Sequence, residues 1–535
     1  MSDIEIARSC KKKNIKDICN SVGLSDDQFE MYGNYKAKVK YNDVLTNKNG
    51  KLVLVTAINP TPYGEGKTTV SIGLLDGLCS IKKNAIGVLR EPSLGPVFGF
   101  KGGAAGGGYA QIVPMEEINL HFTGDLHAIT SANNLIAAAI DNHIYQGNKL
   151  GIDESRINFK RCLDVNDRAL REKFNITAAC EVMSVFCLAN DLNDLREKLG
   201  NILVGYTFNN DPVFVRDLKL EGSLVVLLKE ALNPNMVQTL ENNPVLVHGG
   251  PFANIAHGCN SVIATKLGLK LGDYVITEAG FGSDLGAEKF FDIKCRKANL
   301  KPDCVVLVAT IKALKYNGGV SKEEMMKEDV EAVRRGLPNL NVHIENMLKF
   351  NSNLIVCLNK YDTDTQDEID VVRQSVASYN IPFVISDSYS KGGIGSVVLA
   401  KEVCDMCEKE NHFNFMYDDL ISVEEKIEKL CHEIYHAGNV TYSDVAKEKL
   451  AEIKRLDLSD LPVCISKTQY SISDDAKKLG YPTGHEMHVR DIELYNGAGF
   501  VTVLMGTTIK MPGLPKVPNY EIIDLDEDNE IIGLS

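Results

Sequence analysis

The chain has no tryptophan among its 535 residues, although it carries 18 phenylalanines and 19 tyrosines. That gap alone excludes no function. A second shortage is of positive charge: 58 Lys and Arg stand against 72 Asp and Glu, a net charge of −14. So acidic a chain is a poor general binder of nucleic acid or anionic membranes, and only a local basic pocket stays open. No segment approaches the ~20 consecutive apolar residues of a membrane span. The opening MSDIEIARSCKKKN lacks the apolar stretch of a secretion signal, so a cytoplasmic protein is expected. The 14 cysteines are scattered from Cys10 to Cys464 and read as reduced, buried, small hydrophobes. Their one CxxC, Cys404 to Cys407, has no second pair for zinc and reads as chance spacing in a helix. Internal repeats are absent.

What is present is an ordinary globular composition, 44% hydrophobic and 24% charged. At about 150 residues per domain the length predicts three or four domains. Continuous apolar runs at 52–58, 85–90, 244–249, 274–280, 304–310 and 353–360 have the character of parallel strands covered on both faces. Helical patterns lie between them, at 68–78 and from Ser321, where Ser-Lys-Glu-Glu offers a capping box and Gly336 with Pro338 a stop. The fold class is therefore α/β, a doubly wound and mostly parallel sheet carrying a phosphate loop, with smaller α/β domains added. Composition shifts place cuts that give 1–345 as the nucleotide-binding domain, 346–465 as a second α/β domain and 466–535 as a small C-terminal domain.

The strongest motif is Thr61, Pro62, Tyr63, Gly64, Glu65, Gly66, Lys67 and Thr68, between a strand and a helix. Glycines let backbone N–H groups curl around phosphate oxygens, and the helix N-terminus adds its positive end. Lys67 brings charge to the outer phosphates and Thr68 a hydroxyl to Mg2+. Thr61 stands where such loops usually have glycine, so the loop is a variant. Arg90 ends the next strand candidate, where it would clamp a carboxylate or phosphate. The glycine run 102–108 suggests backbone packed against a ligand or other backbone. His121, Asp125 and His127 leave four readings open: a general base, an orienting pair, metal ligands or a structural cluster. His248, His257 and Cys259 read as loops packed beside the site. Phe281 sits on a glycine-flanked turn suited to stacking on a planar ligand, with a core ring the blander reading.

Asn359-Lys360-Tyr361-Asp362 looks like the guanine reader of GTPases. No DxxG follows any strand candidate, and the distance from Lys67 is too long for a compact GTPase, so that reading is set aside. Lys391-Gly392-Gly393 before a helix is either another anion nest or a helix-start loop. The basic stretch Lys294, Arg296, Lys297 and Lys301 reads as a solvated face, with contact to an acidic polyglutamate tail the other reading.

Seven segments together resemble one family, the formate–tetrahydrofolate ligases. They are 61–69, 90–125, 134–148, 163–171, 248–262, 277–296 and 511–516, spread over nearly the whole chain. The resemblance implies a reaction in which ATP, formate and tetrahydrofolate give 10-formyltetrahydrofolate, ADP and phosphate through formyl phosphate. It implies that Lys67 and Arg90 hold the phosphoryl group, that Thr68 helps bind the Mg2+ of ATP, and that Asp125 acts near the folate amine, as a base in one version. It further implies activation by K+ or NH4+, a homotetramer, and no nucleic-acid or membrane partner. Aromatic residues would hold the folate ring. Phe281 matches a family phenylalanine. Tyr361 and Asp362 replace a common Phe-Pro, and Tyr389 replaces a common tryptophan, so the missing indole acquires a position.

Overall fold

The structure, a computed structural model, describes residues 1–62, 64–99, 105–506 and 508–534. Its centre is a twelve-stranded sheet. In chain order the strands are β1 (Phe29–Met31), β2 (Ala37–Val39), β3 (Lys51–Ala57), β4 (Ala85–Leu89), β5 (Gly106–Gly107) and β6 (Ala110–Val113). They continue as β7 (Asn235–Thr239), β8 (Pro244–Val247), β9 (Tyr274–Glu278), β10 (Cys304–Ala309), β11 (Leu354–Asn359) and β12 (Phe383–Ser386). The spatial order is β1-β2-β7-β8-β4-β9-β3-β10-β11-β12, with β6 pairing β7 and β5. The seven strands from β8 to β12 run parallel, and β7 turns antiparallel at the other side. A mixed α/β fold on a mostly parallel sheet is what the apolar runs predicted.

The reason those runs do not alternate is visible on β3. Leu52 and Leu54 enter one hydrophobic core, while Val53, Val55 and Ala57 enter another on the opposite face. Both faces are covered, so neither can carry polar residues. Helix α1 (Lys67–Ser80) lies on the second face and is buried almost all round. Helix α2 (Asp125–Tyr145) and helix α3 (Val330–Lys349) belong to the first. Helix α4 (Val397–Cys407) joins α1 on the second.

Helix α3 departs from the sequence reading. It starts at the Asp329 cap, whose side chain accepts from Ala332 N at 2.8 Å, and not at Ser321. It also runs through Gly336 and Pro338 to Lys349. A proline inside a helix costs ~3 kcal/mol. Burial of Val333, Leu340, Ile344 and Met347 on one stripe offsets that cost, since each is worth roughly 1.5–3 kcal/mol.

A second sheet of four strands is formed by β13 (Asn439–Tyr442), β14 (Val463–Ser466), β15 (Glu486–Tyr495) and β16 (Phe500–Met505), in the order β13-β15-β16-β14. The cuts proposed at 345/346 and 465/466 fall inside α3 and inside β14. Strands β11 and β12 beyond the first cut extend the large sheet, so its hydrogen bonding crosses that boundary. The basic stretch is no solvated face either. Lys294 is buried and donates to Asn260 O and Thr265 Oγ1, and Arg296 pairs with Asp292 and stacks on Phe415 and Tyr417. Only Lys301 is exposed. All fourteen cysteines are free, and all but Cys10, Cys79 and Cys404 are buried. Among the described residues no helix is long and apolar enough to cross a membrane.

Candidate functional site

Parallel strands bring their carboxyl ends to one edge, where α/β sites collect. The β3–α1 loop is at that edge. Gly66 caps α1 in the left-handed region (φ 68°), against the Asn359 side chain, where a Cβ has no room. Asn359 Nδ2 donates to Glu65 O at 3.2 Å, so the first residue of the Asn-Lys-Tyr-Asp motif braces this loop. The Glu65 side chain is turned inward: Thr61 N donates to its Oε1 at 2.7 Å, and Thr310 Oγ1 donates to its Oε2. Burial pushes its carboxyl above the usual range, partly opposed by these bonds. Glu65 therefore shapes the loop from inside. Pro62 is half-buried, Gly64 is exposed, and Lys67 and Thr68 are half-buried at the mouth of α1. Tyr63, expected in the loop, lies outside the described residues, as do 101–104 of the glycine run.

Strands β4, β9 and β3 are neighbours, and their carboxyl ends place Arg90, Glu278 and Thr68 together. Thr68 Oγ1 donates to Glu278 Oε2 at 2.9 Å, and an Arg90 guanidinium nitrogen is 4.0 Å from Glu278 Oε1. Glu278 is only 2% exposed. A hydroxyl facing a buried carboxylate supplies the hard oxygen donors that Mg2+ takes, so Thr68 fits the role expected of it. Glu278 was not singled out from sequence; the available signal was an acid ending a strand candidate at the sheet's carboxyl edge.

Asp125 opens α2 and is 1% exposed. Lys38 Nζ on β2 pairs with its Oδ1 at 2.7 Å, and Asn235 Nδ2 on β7 donates to its Oδ2 at 2.7 Å. Lys38 also donates to Asn235 Oδ1 at 2.9 Å and to Asn233 O at 3.1 Å. Nothing in the sequence linked these three residues, which are nearly 200 positions apart. Glu91, next to Arg90, is buried; burial and then the charge of Asp125 raise its carboxyl well above the ordinary range. His121 and His127 are exposed on either side of Asp125. His248 is buried between Ser261 Oγ and Ala231 O, and burial lowers its pKa to about 4. Buried His257 is also held well below its ordinary value. Among the described residues no group of three or more His, Cys, Asp and Glu could hold a metal ion, so His121, Asp125 and His127 gather into no such ligand set.

The aromatic residues occupy the other flank, with one exception. Phe281 follows β9 with φ 59°, a strained conformation for a bulky side chain that recurs at functional sites. Tyr361 follows β11, and Lys312 Nζ is 3.6 Å from its ring centroid. Burial raises its hydroxyl pKa, and Tyr389 is close enough to add to that shift. Asp362 is exposed. Tyr389, 46% exposed, follows β12; its main-chain O accepts from Tyr109 N at 2.8 Å and its hydroxyl donates to Asp3 at 3.4 Å. Gly107 and Gly108 lie against it, so this end of the glycine run packs on backbone. The Lys391-Gly392-Gly393 turn is already occupied from within, since Gly393 N donates to Glu241 Oε1 at 2.7 Å.

Fold and site together define an α/β protein with charged and aromatic side chains gathered at the carboxyl edge of a parallel sheet, the arrangement of an enzyme of this architecture. A family model described as formate–tetrahydrofolate ligase matches residues 1–535, the whole chain, and the chain belongs to that family. Membership makes it a ligase of one-carbon folate metabolism that joins formate to tetrahydrofolate.

Proposed function

We propose that the chain makes 10-formyltetrahydrofolate, ADP and phosphate from ATP, formate and tetrahydrofolate, through formyl phosphate. The observation that carries this reading is the meeting of the β3–α1 loop, Arg90 and Glu278 at three adjacent carboxyl ends, in a chain matched end to end by the family model. Formate is a poor acyl donor because its carboxylate would have to expel oxide. In the first step a formate oxygen attacks the γ-phosphorus, and the bond to the ADP oxygen breaks. In the second, N10 of the folate attacks the formyl carbon, phosphate leaves, and the amine gives up its proton.

Lys67 and Arg90 neutralise the three equatorial oxygens of the phosphoryl group in flight and then hold formyl phosphate. Backbone N–H groups from Gly64 to Thr68 cradle the nucleotide phosphates. Thr68 would help hold the Mg2+ of the nucleotide, which would supply charge neutralisation at the phosphates. Phe281, Tyr361 and Tyr389 stack on the folate ring, with Asp362 at the rim. Asp125 orients the approach of the amine: with each oxygen already accepting a bond, it acts by position more than as a free base. A monovalent cation is proposed as activator and a homotetramer as the assembly.

The test omits each substrate in turn with Mg2+ and K+ present. Sustained ADP release that requires both formate and tetrahydrofolate is expected. Release that is indifferent to formate, or no release with all three substrates, would overturn the reading.

A further inference from the structure

We propose that Gly73 on α1 and Ser388 are positioning residues for tetrahydrofolate: their contact fixes where the Tyr389 ring stands relative to the phosphate loop. The assignment rests on the reading of Tyr389 as a folate-stacking residue. Gly73 and Gly77 lie inside α1, where glycine is less favourable than alanine. Four residues apart, they share one face of the helix. A Cβ on Gly73 would fall inside the Ser388 side chain, and one on Gly77 would stand 3.0 Å from Ser396 O. The backbone at Gly73 is helical and open to any residue, so what the glycine supplies is room.

The turn 387–396 fills that room. Ser386, which ends β12, Ser388 and Ser396 are all fully buried. Their hydroxyls close a ring: Ser386 Oγ is 2.7 Å from Ser388 Oγ and 2.9 Å from Ser396 Oγ, and Ser388 bonds Ser396. Each hydroxyl can donate once and accept once within the ring, which satisfies three polar groups packed against a bare helix face. Tyr389 follows Ser388 directly. Its ring is half exposed, but its backbone is clamped: Tyr109 N donates to Tyr389 O at 2.8 Å, and a Cβ on Gly108 would strike that oxygen. Gly393 in the same turn packs on Asp76 of α1, and its N–H donates to Glu241 Oε1. A close-packed interior passes displacement on rather than absorbing it. With the turn held by both α1 and the end of the glycine run, the depth of the Gly73–Ser388 contact sets the position of the Tyr389 ring. The helix that begins at Lys67 thus carries, less than two turns on, the seat of a folate-stacking side chain.

The test uses the full chain and titrates tetrahydrofolate and ADP separately by calorimetry, with folding followed by circular dichroism. Gly73→Ala pushes against Ser388; Ser388→Gly removes the atoms it would strike. Gly73→Ala is expected to weaken tetrahydrofolate binding by about 5- to 100-fold, the worth of one stacked ring, with ADP affinity within about twofold. Adding Ser388→Gly should restore much of the loss, and in a Tyr389→Ala background Gly73→Ala should have little further effect. Should Gly73→Ala not fold, Ser388→Ala, which only opens the hydroxyl ring, takes its place: it should weaken tetrahydrofolate binding several-fold, again only while Tyr389 is present. Unaltered tetrahydrofolate affinity, a loss that falls on ADP instead, or a loss that persists in full without the Tyr389 ring would overturn the assignment and leave the role of Tyr389 standing. Unchanged tetrahydrofolate binding in Tyr389→Ala itself would overturn the folate reading of Tyr389, and this assignment with it.

Discussion

On the Arg90 flank of β3 the acids are buried and cross-braced from distant parts of the chain: Glu278 to Thr68, and Asp125 to Lys38 and Asn235. On the Tyr361 flank the residues are looser. Asp362 is exposed, Tyr389 is nearly half exposed, and Tyr361 meets one lysine over its ring. The difference fits the roles proposed for the two flanks. Charge stabilisation works only if donors are fixed before the charge develops and water is kept out. Stacking on a planar ring tolerates changes of ring, because every aromatic has a π-face. The flank proposed to hold the phosphoryl group is the braced one, and the flank that carries Tyr361 and Tyr389 is the loose one.

The largest effect that sharpens this contrast should come from Lys38→Met. It strands the buried Asp125 carboxylate, and removing one partner of a buried pair costs ~3–5 kcal/mol. The urea midpoint should fall accordingly and recover in part when Asp125→Asn is added; an unchanged midpoint would break the claim that this flank is rigidly paired. Next, Lys67→Ala should lower kcat by roughly 10²–10³, about 3–4 kcal/mol, with folding intact by circular dichroism. Near-normal turnover would remove Lys67 from the phosphoryl site.

Among the aromatic residues, Tyr361→Ala on the loose flank and Phe281→Ala beside β9 should each weaken tetrahydrofolate binding by about 1–3 kcal/mol, the worth of one stacked ring, with the change in KM larger than in kcat. A larger fall in kcat would mean that the aromatic flank is as preorganised as the other.

An effect read through pH concerns Asp76 on α1, behind Lys67. Burial raises its pKa from 3.8 to about 8, so the folded state keeps a proton that the unfolded state has lost across that window. Its contribution is complete below pH 4 and is lost as pH rises toward 8. Asp76→Asn should flatten the fall of stability with pH by up to about 1.4 kcal/mol per pH unit. An unchanged slope in pH-dependent urea unfolding would show that Asp76 does not titrate there. The smallest change is expected from Tyr389→Trp, which should tighten tetrahydrofolate binding or leave it unaltered. A marked loss would mean that the pocket has closed around the smaller ring.

Much of the fold was legible because a strand buried on both faces must be apolar at every position. All six strand candidates are strands of the large sheet. β1, β2, β5, β6, β7 and β12 of that sheet escaped notice: Asn235 and Gln238 interrupt β7, and the other five are only two to four residues long. Helix α3 misled at both ends, because local start and stop signals were outweighed by the burial of a continuous apolar stripe. Within the site, Thr61 to Thr68, Arg90 and Phe281 stood out because glycines and charges at strand ends leave local marks. Lys38, Asn235 and Lys312 left none, since each acts on a residue far along the chain.

The sequence by itself determined the α/β class, the strand–loop–helix around Lys67 and the kinship carried by its long motifs, because these depend on neighbours in the chain. Tertiary structure alone decided that β4, β9 and β3 lie side by side and bring Thr68, Glu278 and Arg90 together. It also decided that Asp125 is held by Lys38, and that the Gly392–Gly393 turn is occupied by Glu241. The physical reason is the same in each case: strand order and long-range pairing are set by how two cores fill on opposite faces of one sheet, and no local stretch of residues carries that information.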